Sequence, residues 1–172
     1  MEVFSRAADK FGEGVHLLIG GEGSERGALE KLVRGKRLEA QVHMPGLVLD
    51  PAEAIGALDL FLTINVGPTT GIAALEAAFL GIPIIAVQLD AEYRMRDDDW
   101  IWSSSDLSAV AAECVRLLKN DAERQALAKK QQAHVKAAND VKVMAEAYYR
   151  LYDEAAEARN GSKAPIARLK PE

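Results

Sequence analysis

The sequence predicts an α/β fold in which a parallel sheet is covered by helices on both faces. Two observations predict it. Short β-rich runs alternate with helical patterns along the 172 residues, the rhythm of βαβ units. The runs themselves are almost continuously apolar, as strands are when a sheet is buried from both sides. The apolar fraction of 49% suffices for a full core, and the length suits one domain.

The elements follow in order. The chain opens on a helical stretch, VFSRAADKF, and then reads as strand over Val15 to Gly20 (VHLLIG) and Gln41 to Met44 (QVHM). Asp50-Pro51 pairs an N-cap with a proline at the first helical position. Leu58 to Asn65 (LDLFLTIN) and Ile82 to Gln88 (IPIIAVQ) are further strands, and Trp100 to Trp102 is a shorter fifth. Ser105-Asp106 caps a helix running to Lys119. From Asp121 to about Ala158 the pattern is helical, with Val141, Met144, Ala145, Tyr148, Leu151 and Tyr152 on one stripe that reads as packing.

Composition removes several classes of function. With 26 Asp and Glu against 21 Lys and Arg, no basic face suited to a nucleic-acid backbone is expected. The lone Cys114 forms no internal disulfide and falls on an apolar stripe with Leu107, Val110, Ala111 and Leu118, so it reads as a core thiol rather than a nucleophile. His16, His43 and His134 have no spacing that suggests a shared metal. No long apolar run and no signal segment opens the chain, which makes the cytoplasm the expected location.

Ligands of open parallel α/β sheets sit beyond the carboxyl ends of the strands, here after Gly20, Met44, Asn65 and Gln88. The first loop, IGGEGSER, leads glycines into a helix whose early N–H groups face any bound anion; it reads equally as a structural turn. In the third, NVGPTTGIAALEA, the small residues Thr69, Thr70 and Gly71 open a helix that a diphosphate could approach closely. Glu76, a single carboxylate among alanine, leucine and isoleucine, then lies about one and a half turns into that helix. Burying it alone is costly. It is expected either to reach solvent at the helix edge or to meet hydroxyl donors such as those of a ribose. The charged run Glu92, Arg94, Arg96 and Asp97 to Asp99 reads as a solvated loop.

Taken together, VHLLIGGEGSERGALEKL, VHMPGLV and ALDLFLTINVGPTTGIAALEAAFLGIPIIAV resemble, in order and spacing, the donor-binding half of family-4 retaining glycosyltransferases. The resemblance implies a Rossmann-like three-layer sandwich with a parallel sheet, the nucleotide-sugar-binding half of a GT-B fold. It also implies a nucleoside-diphosphate sugar as substrate, with no separate cofactor or metal and no assigned catalytic side chain. The partner it implies is an acceptor-binding domain, or a second polypeptide carrying one, through which any peripheral membrane contact would be made. The family's Gly-acid-Gly turn is matched by Gly21, Glu22 and Gly23, and its strand-end glycine by Gly46. Glu76 resembles the acid that binds the donor ribose; Thr69, Thr70 and Gly71 resemble the turn whose amides face the diphosphate. Pro45, Gly46 and Leu47 resemble the loop that holds the base.

Two departures follow from the same resemblance. The acid expected eight residues before Glu76 is Pro68, which has no acceptor for the sugar's hydroxyls, and this keeps open a non-catalytic nucleotide-sugar-binding or interaction module. Nucleotide-sugar 2-epimerases share the architecture, but their further acidic and histidine groups have no counterpart here. The family's opening strand is missing before VFSRAADKF, whereas the C-terminal APIARLKPE resembles it, as in a circular permutation. Residues 1–160 are then the nucleotide-sugar-binding domain, 161–163 a linker of turn-formers, and 164–172 a tail that supplies the relocated central strand. On this reading Arg168 takes the phosphate-binding arginine position.

Overall fold

The computed structural model describes residues 1–65, 71–89 and 100–160. The chain divides into two units, Met1–His134 and Val135–Glu172.

In the first unit α1 (Glu2–Phe11) buries Val3, Phe4, Ala7 and Ala8, one face at helical spacing. Gly12, at φ +95°, ends it, its N–H donating to Ala8 O at 2.8 Å. Then come β1 (Leu17–Gly20), α2 (Arg26–Gly35), β2 (Val42–Gly46) and α3 (Pro51–Gly56). The cap expected for α3 forms: the Asp50 carboxylate accepts the Glu53 N–H at 2.9 Å. β3 (Phe61–Asn65) leads to α4 (Ile72–Phe79), whose exit is a Schellman turn. There Gly81 N–H donates to Ala78 O at 3.0 Å and Ile82 N–H to Ala77 O at 2.9 Å, with Gly81 at φ +78°. The chain then enters β4 (Ile84–Gln88), followed by β5 (Trp102–Ser104) and α5 (Leu107–Lys119). Asp106 caps α5 by accepting the Ser108 N–H at 2.8 Å.

Every strand pairing among the described residues is parallel, as expected. Among the described residues the strands form two sheets rather than one, β1–β2 and β3–β4–β5. The described ladders also differ in extent from the sequence expectation. The one at β3 starts only at Phe61, because Leu58 N–H turns back to Ile55 O at 3.0 Å after α3. β2 continues through Pro45 to Gly46, and β5 lies two residues later than expected.

β4 is buried along its whole length. Beyond the start of β5, a side chain completes its hydrogen bonding: the amide of Gln131, fully buried in α6 (Asp121–Ala138), accepts from Ile84 N–H and donates to Ile84 O, each at 2.8 Å. Among the described residues two apolar clusters form the core. One packs Val3 and Ala7 with Ile85, Val87, Val110 and Leu117; the other packs Phe4 and Ala8 with Val15, Val33, Leu38 and Val42. Helix α1 therefore serves both sheets. Burying each large aliphatic side chain contributes about 1.5–3 kcal/mol.

The helical pattern expected from Asp121 to about Ala158 divides into two helices. The Asp140 carboxylate accepts the Lys142 N–H at 2.7 Å and starts α7 (Val141–Asn160) as a new helix. The stripe expected to pack does not: Val141, Met144, Tyr148, Leu151 and Tyr152 are exposed, with the rings of Tyr148 and Tyr152 6.2 Å apart. Periodicity reveals an amphipathic face but not what covers it. No helix of the described residues is long and apolar enough to cross a membrane.

Candidate functional site

The strand ends are level in pairs. Gly20 is in register with Gly46 on β1 and β2, and Asn65 with Gln88 on β3 and β4. At the first pair the two following loops are tied together, Gly21 N–H donating to Gly46 O at 2.7 Å. Both glycines hold positive φ, +120° and +83°, a region that side-chain-bearing residues rarely enter. Gly46 has a second reason to lack a side chain. A Cβ there would stand 2.3 Å from Glu22 Oε1.

The Glu22 carboxylate thus lies across the end of β2, where Arg26 holds it. The Arg26 guanidinium donates to Glu22 at 3.0 Å, to Glu30 at 3.0 Å and to Met44 O at 2.9 Å. One cation therefore fixes the β1–α2 loop, the first turn of α2 and the end of β2. The acid of the Gly-acid-Gly turn is already paired, so the groups left facing outward are main-chain ones at Gly21 and Gly23, both exposed. Arg26 was not singled out from the sequence. The i, i+4 run Glu22, Arg26, Glu30 was the available signal.

Beside this turn Pro45 is exposed, Gly46 is buried and Leu47 is 73% exposed, leaving an apolar surface uncovered. On α4, Ala74, Ala77 and Ala78 form the buried face and Glu76 points to solvent. Its carboxylate bonds to none of the described residues and stands open at the helix edge. Gly71, extended at φ −69° and ψ 154°, is the N-cap of α4 and supplies no side-chain acceptor. Ala74 N–H turns back to Gly71 O at 3.0 Å, and the amides of Ile72 and Ala73 are left to other acceptors.

Thr69, Thr70, Pro68, the charged run from Glu92 to Asp99, and residues 161–172 with Arg168 lie outside the described residues. The hydrogen bonds of the described residues join Gly21 to Gly46 but neither of them to Glu76. His16 and His43 meet, Nδ1 to Nε2 at 3.1 Å with stacked rings. Among the described residues no group of three or more metal-ligating side chains forms. Cys114 is the core thiol expected, and burial pushes its pKa up to about 11.

Residues 1–120 match the family described as glycosyl transferases group 1. The chain is 32% identical over 160 residues to the phosphatidyl-myo-inositol mannosyltransferase of Mycobacterium leprae (strain TN), a match covering 89% of this chain and 41% of that protein. It is 30% identical over 71 residues to the Escherichia coli O-antigen biosynthesis glycosyltransferase WclY, covering 41% of this chain and 20% of that one. Among solved structures, Anabaena Alr3699/HepE in complex with UDP superposes with a TM-score of 0.74 at 16% identity, over 90% of this chain and 45% of that one. The C-terminal domain of the group 1 glycosyl transferase LpcC from Francisella tularensis superposes with a TM-score of 0.62 at 20% identity, over 81% of this chain and 79% of that domain. The chain thus spans less than half the length of the curated relatives it matches, and the likeness to these structures establishes the fold.

Proposed function

Because the chain belongs to the group 1 glycosyl transferases, we propose that it binds the donor nucleotide-sugar for transfer to an acceptor hydroxyl. The acceptor side is contributed by a further domain or a second polypeptide. The observation that carries this reading is the Gly21–Gly46 hydrogen bond at the carboxyl edge, which holds exposed main-chain groups where α/β sheets take their ligands. The turn of Gly21 and Gly23, with Gly21 N–H held by Gly46 O and Gly23 N–H outward, and the amides at the start of α4, around Thr69, Thr70 and Gly71, receive the diphosphate. Pro45, Gly46 and Leu47 take the base, Glu76 the ribose hydroxyls, and Arg168 the diphosphate charge. These groups recognise rather than move protons. Their contribution to transfer is to stabilise the departing diphosphate by preorganised electrostatics, and transfer also requires a domain that positions the acceptor.

One observation favours a second reading. Pro68 offers no side-chain acceptor for the sugar, which suits a non-catalytic nucleotide-sugar-binding module. The HepE and pneumococcal GtfA structures were solved with UDP, so uridine diphosphate is the first probe. A thermal-shift screen of uridine, guanosine and adenosine diphosphates and their sugars tests the binding reading. Selective binding at one hundred times Kd raises stability by about 2.7 kcal/mol. A melting temperature unmoved by every diphosphate at millimolar concentration refutes it. Sugar transfer on adding a candidate acceptor and its domain then separates enzyme from binding module.

A further inference from the structure

The turn of Gly21 and Gly23 receives a diphosphate on the proposed reading, yet the residue between the two glycines is an acid. The Glu22 side chain is 56% exposed. Its Oε1 fills the space that a side chain at Gly46 would take, beside the bond by which Gly21 N–H reaches Gly46 O. A diphosphate entering here would meet a full negative charge at close range, and like charges brought together near a protein surface oppose binding.

Arg26, four residues on, carries the opposite charge to that acid. Its Nη1 donates to Glu22 Oε1 at 3.0 Å, its Nη2 to Met44 O at 2.9 Å and its Nε to Glu30 Oε1 at 3.0 Å. The bonds to Met44 and Glu30 fix where the cation stands, and the bond to Glu22 uses that fixed charge. A planar guanidinium suits this task, since its donors form a rigid fork that a lysine ammonium lacks. As a contribution to stability an ion pair this exposed is worth little. Its electrostatic effect on an anion bound in the same turn is a separate matter, because the pair presents no net charge where Glu22 alone would present one.

Resting on the reading of this turn as the diphosphate site, we infer that Arg26 is a positioning residue for the nucleotide. It neutralises Glu22 and holds the carboxylate against Gly46, so that the outward amide of Gly23 meets the diphosphate without an opposing charge. Arg26 acts through Glu22 and does not itself touch the ligand. This role makes a demand that a merely structural tie does not. The harm done by losing Arg26 is harm done by an unpaired Glu22, so removing the acid as well must repair it. The harm is also Coulombic, so salt must screen it.

Calorimetric titration of uridine, guanosine and adenosine diphosphates into the full chain and into Arg26→Gln, Arg26→Lys, Glu22→Gln and the Glu22→Gln/Arg26→Gln double variant tests the inference. For the diphosphate that the wild type binds, Arg26→Gln should weaken Kd by about five- to tenfold at low salt, and by less at high salt. Arg26→Lys, which keeps the charge, should restore most of that loss. The double variant should return to within about threefold of the wild type, a non-additivity that marks the two residues as coupled. Wild-type affinity in Arg26→Gln, or a double variant as weak as Arg26→Gln, overturns the inference and leaves the binding reading in place. A wild type that binds none of the three diphosphates overturns both. Should Arg26→Gln fail to fold, Glu22→Gln decides the point, since it removes the acid and keeps the cation. Affinity equal to or above that of the wild type supports the inference; weaker binding makes Glu22 itself a ligand contact and overturns it.

Discussion

Gly46→Ala perturbs the point on which the candidate site turns. An L side chain at φ +83° costs roughly 1–2 kcal/mol by its clash with the backbone. The new Cβ would also stand 2.3 Å from Glu22 Oε1, so the carboxylate must swing away and release Arg26. That pair spans 3.0 Å with side chains 34% and 56% exposed, which places its loss at about 0–1 kcal/mol. The sum is about 1–3 kcal/mol, or a fall in melting temperature of roughly 2–12 °C for a chain of this size. Urea denaturation of the wild type, Gly46→Ala, Glu22→Ala and the double variant measures it. Because Glu22→Ala removes the group the methyl strikes, the double variant should cost less than the sum of the singles. Wild-type stability for Gly46→Ala, or strict additivity in the cycle, would refute the clash with Glu22 as the reason this strand ends in glycine.

Three further outcomes are expected. Gln131→Leu strands the N–H and C=O of Ile84, at about 1–3 kcal/mol each, whereas Gln132→Leu, one position on, loses a single exposed bond to Phe79 O and should cost no more than about 1.5 kcal/mol; equal losses in denaturation would contradict the role given to Gln131. Cys114, whose folded pKa is raised to about 11 from 9.0, contributes stability that is fully present below pH 9 and lost as pH rises through 11. The loss amounts to at most about 2–3 kcal/mol, and a wild-type stability profile parallel to that of Cys114→Ala over this range would contradict it. The same thiol should resist labelling by thiol reagents at neutral pH until the protein unfolds; immediate labelling of the native chain would place it outside the core.

Sequence made the local devices legible. Asp50 and Asp106 cap the helices predicted for them because a side chain and an amide two or three residues on decide the matter. The apolar runs marked strands, and their parallel pairing followed from helices lying between them. What the pattern could not supply were arrangements set by distant partners. The Glu22–Arg26–Met44 tie joins the β1–α2 loop and the first turn of α2 to β2, and Gln131 reaches Ile84 from 47 positions away. The break at Asp140 was readable, since Asn139-Asp140 is a turn-forming pair, but the helical periodicity on either side hid it. For Glu76 the sequence left two places open, and burial of the alanine face of α4 turns its carboxylate outward, where either solvent or hydroxyl donors can meet it. A resemblance drew Gly21, Gly46 and Glu76 into one site, whereas hydrogen bonds of the described residues join only the first two.

The most direct test of the account is calorimetric titration of a nucleoside diphosphate into the full chain and into Glu76→Gln. The account predicts saturable one-site binding by the wild type. Loss of the charge-assisted bonds to ribose should cost the variant about 1.5–3 kcal/mol, roughly a ten- to hundredfold weaker Kd. The absence of binding heat from uridine, guanosine and adenosine diphosphates alike, or equal affinity in the two proteins, would contradict it.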